Sequence, residues 1–407
     1  MSTLIQQIGN ESKEITPAAR AIQPAKGAQT ALPPAAASGL PYRQAYANPQ
    51  LNSRLGYVVP PVGYKLRKAA DLHETLPTQF VLQDGDRILT VGPEWRLFQR
   101  SGVLVTTDRL GLGPAVMDAP RKLFYVINPP GYLGARTLAD GSLPYNFLPS
   151  MGSTVVRTFV ARRDRRMIIA GTERPRGAHG EFLAKNSLIE SYDLGQPEEV
   201  DSMAFLTSLE RKAALTLPTL TLHVAGLDER LVAATTDRLH LLHWGLQVEG
   251  ALEGEFEPQS ISLDEAGRIY MLAQLGKRVE LWLLTPSGER LYAFPLAPGA
   301  DVAHPPIVGY DHTVYLLADN LIVAVGTDGR VKWTKPAKGK AAGASVDPTG
   351  QLLVSEGNSV VVYSATGERS VISTLPESLV TPPILTESGE ILAASDRRLY
   401  ILERESW

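Results

Sequence analysis

The chain contains no cysteine. That excludes disulfides, thiolate zinc sites, iron–sulfur clusters and a cysteine nucleophile. Excess charge is scarce too: 40 Lys and Arg stand against 43 Asp and Glu, a formal net charge of −3. There is thus no overall pull toward nucleic acid or an anionic membrane. No uninterrupted apolar run approaches the roughly 18 residues of a spanning helix, so none is expected. The opening Met1-Ser-Thr-Leu-Ile-Gln-Gln-Ile-Gly-Asn10 lacks a basic stretch, a continuous apolar stretch and a following lipid-acceptor cysteine. No signal peptide is therefore expected, and the expected location is the cytoplasm or a particle assembled there. What is plentiful is turn-forming residues: 35 glycines and 30 prolines among 407 residues, with 44% hydrophobic content to build a core.

Residues 1–56 form a segment of their own composition, with Pro17, Pro24, Pro33, Pro34, Pro41 and Pro49 among Ala, Gln and Ser. Few large apolar side chains offset its ordering entropy, and its prolines favour extended backbone. It reads as an extended N-terminal arm. At its front, Leu4, Ile5 and Ile8 would share one face of a short helix, so they are candidate partner-binding residues. Two turns of helix are not stable alone in water, which points to ordering on a neighbouring subunit.

From residue 57 to 407 the texture changes to short apolar, β-branched runs between Gly, Asp and Pro turns. A proline just before a strand recurs along the chain, as in Leu217-Pro-Thr-Leu220, Glu257-Pro-Gln-Ser260, His304-Pro-Pro-Ile-Val308 and Thr381-Pro-Pro-Ile-Leu385. Tight turns follow at Glu265-Ala-Gly267, Asp347-Pro-Thr-Gly350 and Glu387-Ser-Gly389. A further turn recurs at Pro286-Ser-Gly288, Thr327-Asp-Gly329 and Ala365-Thr-Gly367, with glycines 41 and 38 residues apart. Four short strands per period of about 40 residues is the pattern of a β-propeller blade. The expected fold is all-β, a single closed β-propeller of eight blades, with seven as the alternative. Approximate spans are 77–113, 114–152, 153–216, 217–256, 257–301, 302–340, 341–378 and 379–407. The last unit lacks a fourth strand, which Gly63-Tyr-Lys-Leu-Arg-Lys68 can supply, so residues 57–76 and 379–407 would close the ring. Unit three is oversized, which places an insertion between about 172 and 200. One helical turn is expected near Ser208–Ala213.

Blade six reads Pro305-Pro-Ile-Val-Gly-Tyr-Asp-His-Thr-Val-Tyr-Leu-Leu317, then Leu321-Ile-Val-Ala-Val-Gly-Thr-Asp-Gly-Arg-Val-Lys-Trp333. This resembles the pyrroloquinoline-quinone-like (quinoprotein-type) propeller repeat, in which a strand runs into an Asp-Gly turn followed by tryptophan. Only Trp333 occupies that position. Phe147, Phe294 and Ser370 or Val371 fall near its equivalents. The resemblance implies a propeller, but the family's calcium ligands, quinone site and frequent disulfide have no counterpart here. It therefore points to non-enzymatic relatives of the repeat, and no cofactor is expected. The Trp-Asp and Gly-Gly marks of other propeller repeats are missing.

Motifs for chemistry are equally sparse: there is no phosphate loop, zinc-protease helix or nucleophile elbow. His240 and His243 are three apart on an expected strand, hence on opposite faces, and no metal site is assigned. The acidic runs Pro197-Glu-Glu-Val-Asp201 and Glu253-Gly-Glu-Phe-Glu257 read as solvated turns. The strongest local charge is basic. Arg162, Arg163, Arg165 and Arg166 surround Asp164 in an expected hairpin turn, with Arg157, Arg174 and Arg176 close by. Arg162, Arg163, Arg165, Arg166, Arg174 and Arg176 are the candidate docking residues for an acidic partner protein.

The favoured function is a non-enzymatic scaffold. A disc would dock partner proteins in a larger assembly, such as a virion, a tail or another multiprotein machine, with the arm as tether. Oligomerisation or hetero-assembly is expected, and nucleic acid is the least favoured partner. The alternative is an enzyme or a small-molecule or metal binder using the central channel. That would need a polar cluster on the first strands, yet Phe80, Val116, Leu220, Ile261, Ile307, Val346 and Ile384 there are apolar.

Overall fold

The computed structural model describes residues 53–60, 63–72, 79–92, 94–108, 115–118, 121–128, 132–142, 145–147, 154–161, 166–173, 186–193, 210–227, 229–302, 304–318 and 320–405. Among them the chain forms eight four-stranded antiparallel sheets. Blade one runs from Phe80–Asp84 to Leu104–Asp108, and blade two from Ala115–Asp118 to Tyr145–Phe147. Blade three spans Thr154–Ala161 to Glu210–Leu217, and blade four Thr221–Leu227 to Val248–Glu253. Blades five, six and seven open with Glu257–Leu263, Ile307–Val308 and Ala341–Val346. They end with Arg290–Pro295, Val331–Pro336 and Arg369–Thr374. Blade eight takes Ile384–Leu385, Ile391–Ala394 and Arg398–Arg404 from one end of the chain and Tyr64–Asp71 from the other. The eight-bladed count expected from the period is the one found.

First strands of neighbouring blades pack against one another, which puts them around the axis. Fourth strands lie at the rim, where Arg290–Pro295 alternates exposed and half-buried side chains. The strands between are covered on both faces. Val314–Ala318 is buried along its whole length, hence its unbroken apolar run. Cores form between blades rather than within them: Ile307, Tyr315 and Trp333 of blade six share one cluster with Val346, Val354 and Tyr363 of blade seven. The apolar first-strand residues thus do not line an open channel. Among the described residues the two faces of an inner strand point at neighbouring blades, and the axis meets strand edges and ends.

A glycine turn joins strands three and four and also docks one blade on the next. Gly367 has φ +81°, and a Cβ there would lie 2.8 Å from Trp333 Cδ2 of the preceding blade. Trp333 Nε1 donates to Ala365 O of the same turn at 3.0 Å. In blade five the equivalent aromatic is Tyr292, not the expected Phe294, because Gly329 of blade six packs on the Tyr292 ring with 2.9 Å from its own absent Cβ to Cγ. Tyr292 stands four residues after Gly288, as Trp333 does after Gly329. Lys68 takes this place in blade eight, its stem covering Gly102 of blade one.

Ring closure is a register of hydrogen-bonded pairs from Tyr64↔Arg404 to Asp71↔Arg398, with a bulge between Leu66 and Lys68. Glu390, nearly buried, is held by Arg67 Nη1 at 3.0 Å and by Arg100 Nε of blade one at 2.8 Å. The helical turn expected near Ser208–Ala213 is corrected: Glu210–Leu217 is the outer strand of blade three, paired with Ser187–Asp193. Glu, Arg, Lys and Ala are good helix formers, but Ala213, Leu215 and Leu217 fall on one face at strand period and pack against the core. Pairing and burial outweigh local propensity.

Gly367→Ala is expected to cost about 2–4 kcal/mol, since it adds left-handed strain and a clash with the indole. Gly276→Ala, at φ +59° with open space around it, is expected to cost only about 1 kcal/mol. Urea midpoints of the two variants compare them; equal costs would show that the docking contact contributes little.

Candidate functional site at the channel mouth

An inner strand has one edge paired within its blade and one edge facing the axis, whose backbone groups need partners. In blade seven the chain supplies its own. Leu55 N donates to Val346 O at 2.7 Å and Val346 N donates to Ser53 O at 3.0 Å, a parallel bridge on the axial edge of Ala341–Val346. Further on, Val59 N donates to Asp347 Oδ2 at 2.8 Å and Gln351 Nε2 donates to Val59 O at 3.2 Å. Residues 53–60 therefore lie across the mouth of the channel where the inner strands end. The compositional boundary at 56 falls inside this segment.

Arg54 is the centre of the arrangement, and only 9% of it is exposed. Its Nε donates to Val308 O at 2.9 Å and its Nη2 to Gly309 O at 2.7 Å, both at the end of blade six's inner strand. Its Nη1 donates to Glu265 Oε2 of blade five at 2.6 Å. The guanidinium also lies 4.6 Å from the centre of the Tyr310 ring, and Tyr310 Oη donates back to Leu55 O at 2.7 Å. Three donors on one planar group thus tie blades five and six to a segment seated on blade seven. A lysine, with one ammonium, lacks that fork.

Glu265 begins a network that continues inward. His312, from the blade-six turn, places Nε2 3.4 Å from Glu265 Oε1 and Nδ1 3.4 Å from Asp264 Oδ2. Asp264 is fully buried and accepts from Ala266 N and Arg268 N at 3.0 Å, Arg268 Nε at 2.7 Å and Tyr270 Oη at 2.9 Å. Burial, with a further contribution from the Asp264 charge, pushes the Tyr270 hydroxyl well above its usual range, so it stays protonated and donates. His312 is held below the ordinary imidazole value by burial, against the opposing pull of Glu265 and Asp264.

Of the residues singled out in the sequence, Arg166 begins the second strand of blade three, and its Nη1 meets Glu229 Oε2 of blade four at 2.7 Å. His243 Nε2 approaches the same carboxylate oxygen at 3.5 Å. Leu4, Ile5, Ile8, Arg162, Arg163, Arg165, Arg174 and Arg176 lie outside the described residues. His240 is buried and His243 half-exposed on Arg238–His243; burial lowers the His240 value, with Arg238 adding to it. Among the described residues no three His, Asp or Glu side chains are grouped to hold a metal ion. Sequence reasoning missed Arg54 because its acceptors are mostly main-chain carbonyls more than 250 positions away. One signal was present: blade six puts His312 where other blades put the turn glycine.

No protein-family model matches the chain, and no curated protein matches it. Solved structures do. Sqt1 of Saccharomyces cerevisiae superposes with a TM-score of 0.63 at 12% identity, covering 84% of this chain and 100% of that one. The computationally designed Ika8 protein gives 0.59 at 9% identity, over 81% and 96%. BamB from Moraxella catarrhalis gives 0.57 at 12% identity, over 84% and 98%. At such identities the likeness is one of fold.

Arg54→Ala is expected to lower stability by about 2–4 kcal/mol, because it strands two buried carbonyls and a carboxylate. Arg54→Lys is expected to recover less than half of that. Denaturant midpoints of the three proteins test both expectations; an Arg54→Lys variant as stable as the native chain would show that charge alone suffices.

Proposed function

We propose that this protein is a non-enzymatic scaffold, a propeller disc that docks partner proteins in a larger assembly with its N-terminal arm as tether. The observation that carries the reading is the channel mouth. An axial site that could receive a ligand is filled by the chain's own Arg54, locked to three blades. Residues 53–60 are seated near the axis of one face, the face on which inner strands turn back, and the reading takes this as the base of the tether. Ala161 pairs with Met167 at the end of the first hairpin of blade three, and the reading puts the arginine turn between these strands on that same face. Tether and basic turn would then engage one partner from one side, through Leu4, Ile5 and Ile8 at the arm's front and Arg162, Arg163, Arg165 and Arg166 at the turn. An acidic protein surface is the partner that arginines fit best.

A virion or tail component, or a subunit of a cellular machine, is the setting this reading favours. Kinship with the quinoprotein-type repeat is proposed on blade six, where the Asp328-Gly329 turn is followed by Trp333 in the order of that repeat.

The test is affinity purification of the full-length native protein beside two full-length variants. One carries Leu4, Ile5 and Ile8 as Ser, the other Arg162, Arg163, Arg165 and Arg166 as Ser. A co-purifying protein reduced at least about tenfold in either variant is the expected result, the scale of a hot-spot loss. If the native chain runs as a monomer and both variants retain every companion unchanged, the scaffold reading fails.

A further inference from the structure

Packing does not explain His312. Among the described residues seven turns carry glycine at one left-handed position: Gly102, Gly267, Gly288, Gly329, Gly350, Gly367 and Gly389, with φ from +75° to +87°. Blade six forms the same turn, with Gly309 N donating to Thr313 O at 2.8 Å and His312 N donating to Gly309 O at 3.0 Å. Its left-handed residue is His312, at φ +62°. Leu246 does likewise in blade four, but it is apolar and buried with Ile168, Leu231 and Trp244, which accounts for it. The His312 side chain is equally buried, and neither ring nitrogen has a hydrogen bond. Ser53, beside Arg54, is also left-handed at φ +55°. Two of the four such non-glycine residues among those described therefore lie on or beside the elements that hold Arg54. Strain and an unsatisfied buried polar group kept together mark a working part.

The groups facing His312 are two carboxylates and two guanidiniums. Glu265 and Asp264 flank the ring at 3.4 Å each. Arg268 is bound to Asp264, and Arg54 to the other oxygen of Glu265. Asp311, next to it in the turn, is engaged by Thr313 and Lys332 instead. Glu265 is thus shared between the Arg54 fork and the imidazole.

We propose that the mouth between blades five and seven is an arginine-binding site, filled in cis by Arg54, and that protonation of His312 empties it. The ligand class follows from the acceptors. Two carbonyls and a carboxylate in reach of one planar fork, under an aromatic face, select a guanidinium over an ammonium. The direction of the switch follows from linkage. With the segment seated, burial lowers the proton affinity of His312, Glu265 and Asp264 raise it, and Arg268 and Arg54 lower it again. Withdrawing Arg54 removes one of those cations, admits water and frees Glu265 to pair with the imidazolium. Each change makes the open state bind the proton more tightly, so by reciprocity the proton favours the open state. The segment stays seated at neutral pH and is released as pH falls below the ordinary imidazole range near about 6.5. This goes beyond the scaffold reading and stands without it.

Hydrogen exchange on the full-length protein tests the proposal. Leu55 and Val59 amides both donate within the seated segment, so their protection reports its release. Protection, corrected for intrinsic exchange, is expected to fall at least about tenfold between about pH 7.5 and about pH 5.5, while amides of the Val314–Ala318 strand keep theirs. His312→Asn, which tolerates the left-handed turn but cannot titrate, is expected to remove that difference. In Arg54→Ala, protection is lost at both pH values, and ethylguanidinium restores it where ethylammonium does not. Protection independent of pH in the native chain would overturn the proposal, and so would a pH response surviving in His312→Asn. Rescue by neither cation, or equally by both, would overturn the arginine site.

Discussion

A small twisted sheet that is apolar on both faces is stable only when both are covered, and every element of this ring answers that constraint. Blades share their cores, so Tyr315 of blade six is packed with Val354 and Tyr363 of blade seven rather than with its own sheet alone. The glycine turns serve the same need from the rim, since only a residue without a side chain lets the preceding blade's aromatic come so close. Closure extends it to the ends of the chain: Tyr64–Asp71 completes blade eight, and Lys68 covers Gly102 as the aromatics cover their glycines elsewhere.

The same constraint creates the site. Covering both faces of an inner strand still leaves its axial edge bare, and seven of eight such edges cannot be served by one short segment. The chain covers the end of blade seven's edge and uses one guanidinium to satisfy carbonyls of blade six and a carboxylate of blade five. The Arg54 segment therefore ties three blades together at the mouth.

Much of the fold was legible because its information is local and repeated. Pro-strand starts, Asp-Gly turns and apolar runs recur at near-constant spacing, so period, blade count and the missing fourth strand could be read directly. Ser208–Ala213 was misread because its helix-forming residues carry no local sign of the strand they pair with. The Trp-equivalent in blade five was misplaced by two residues, because Phe294 looks the better aromatic while the turn geometry selects Tyr292. The site was barely legible. Arg54 sits in a stretch whose composition resembles that of the residues before it, and main-chain acceptors leave no trace in a sequence. His312 alone was visible, as a break in the glycine rule, and only comparison among blades gives that break a meaning.

Glu405 N donates to Gly63 O at 3.0 Å, beside the Tyr64↔Arg404 pair of the closing register. Residues 63–405 therefore form a circle cut at one point in blade eight, with the two sides of the cut in hydrogen-bond contact. Backbone order around the ring has no privileged origin. A short linker from residue 405 to 63, with new termini opened in an exposed turn of another blade, would preserve every strand pair. What it would change is timing, since the closing strand could then be synthesised beside its partners instead of waiting for them. The residues before 63 would lose their place at the start of the chain. The Arg54 segment, unlike the ring it seals, therefore depends on where the circle is cut.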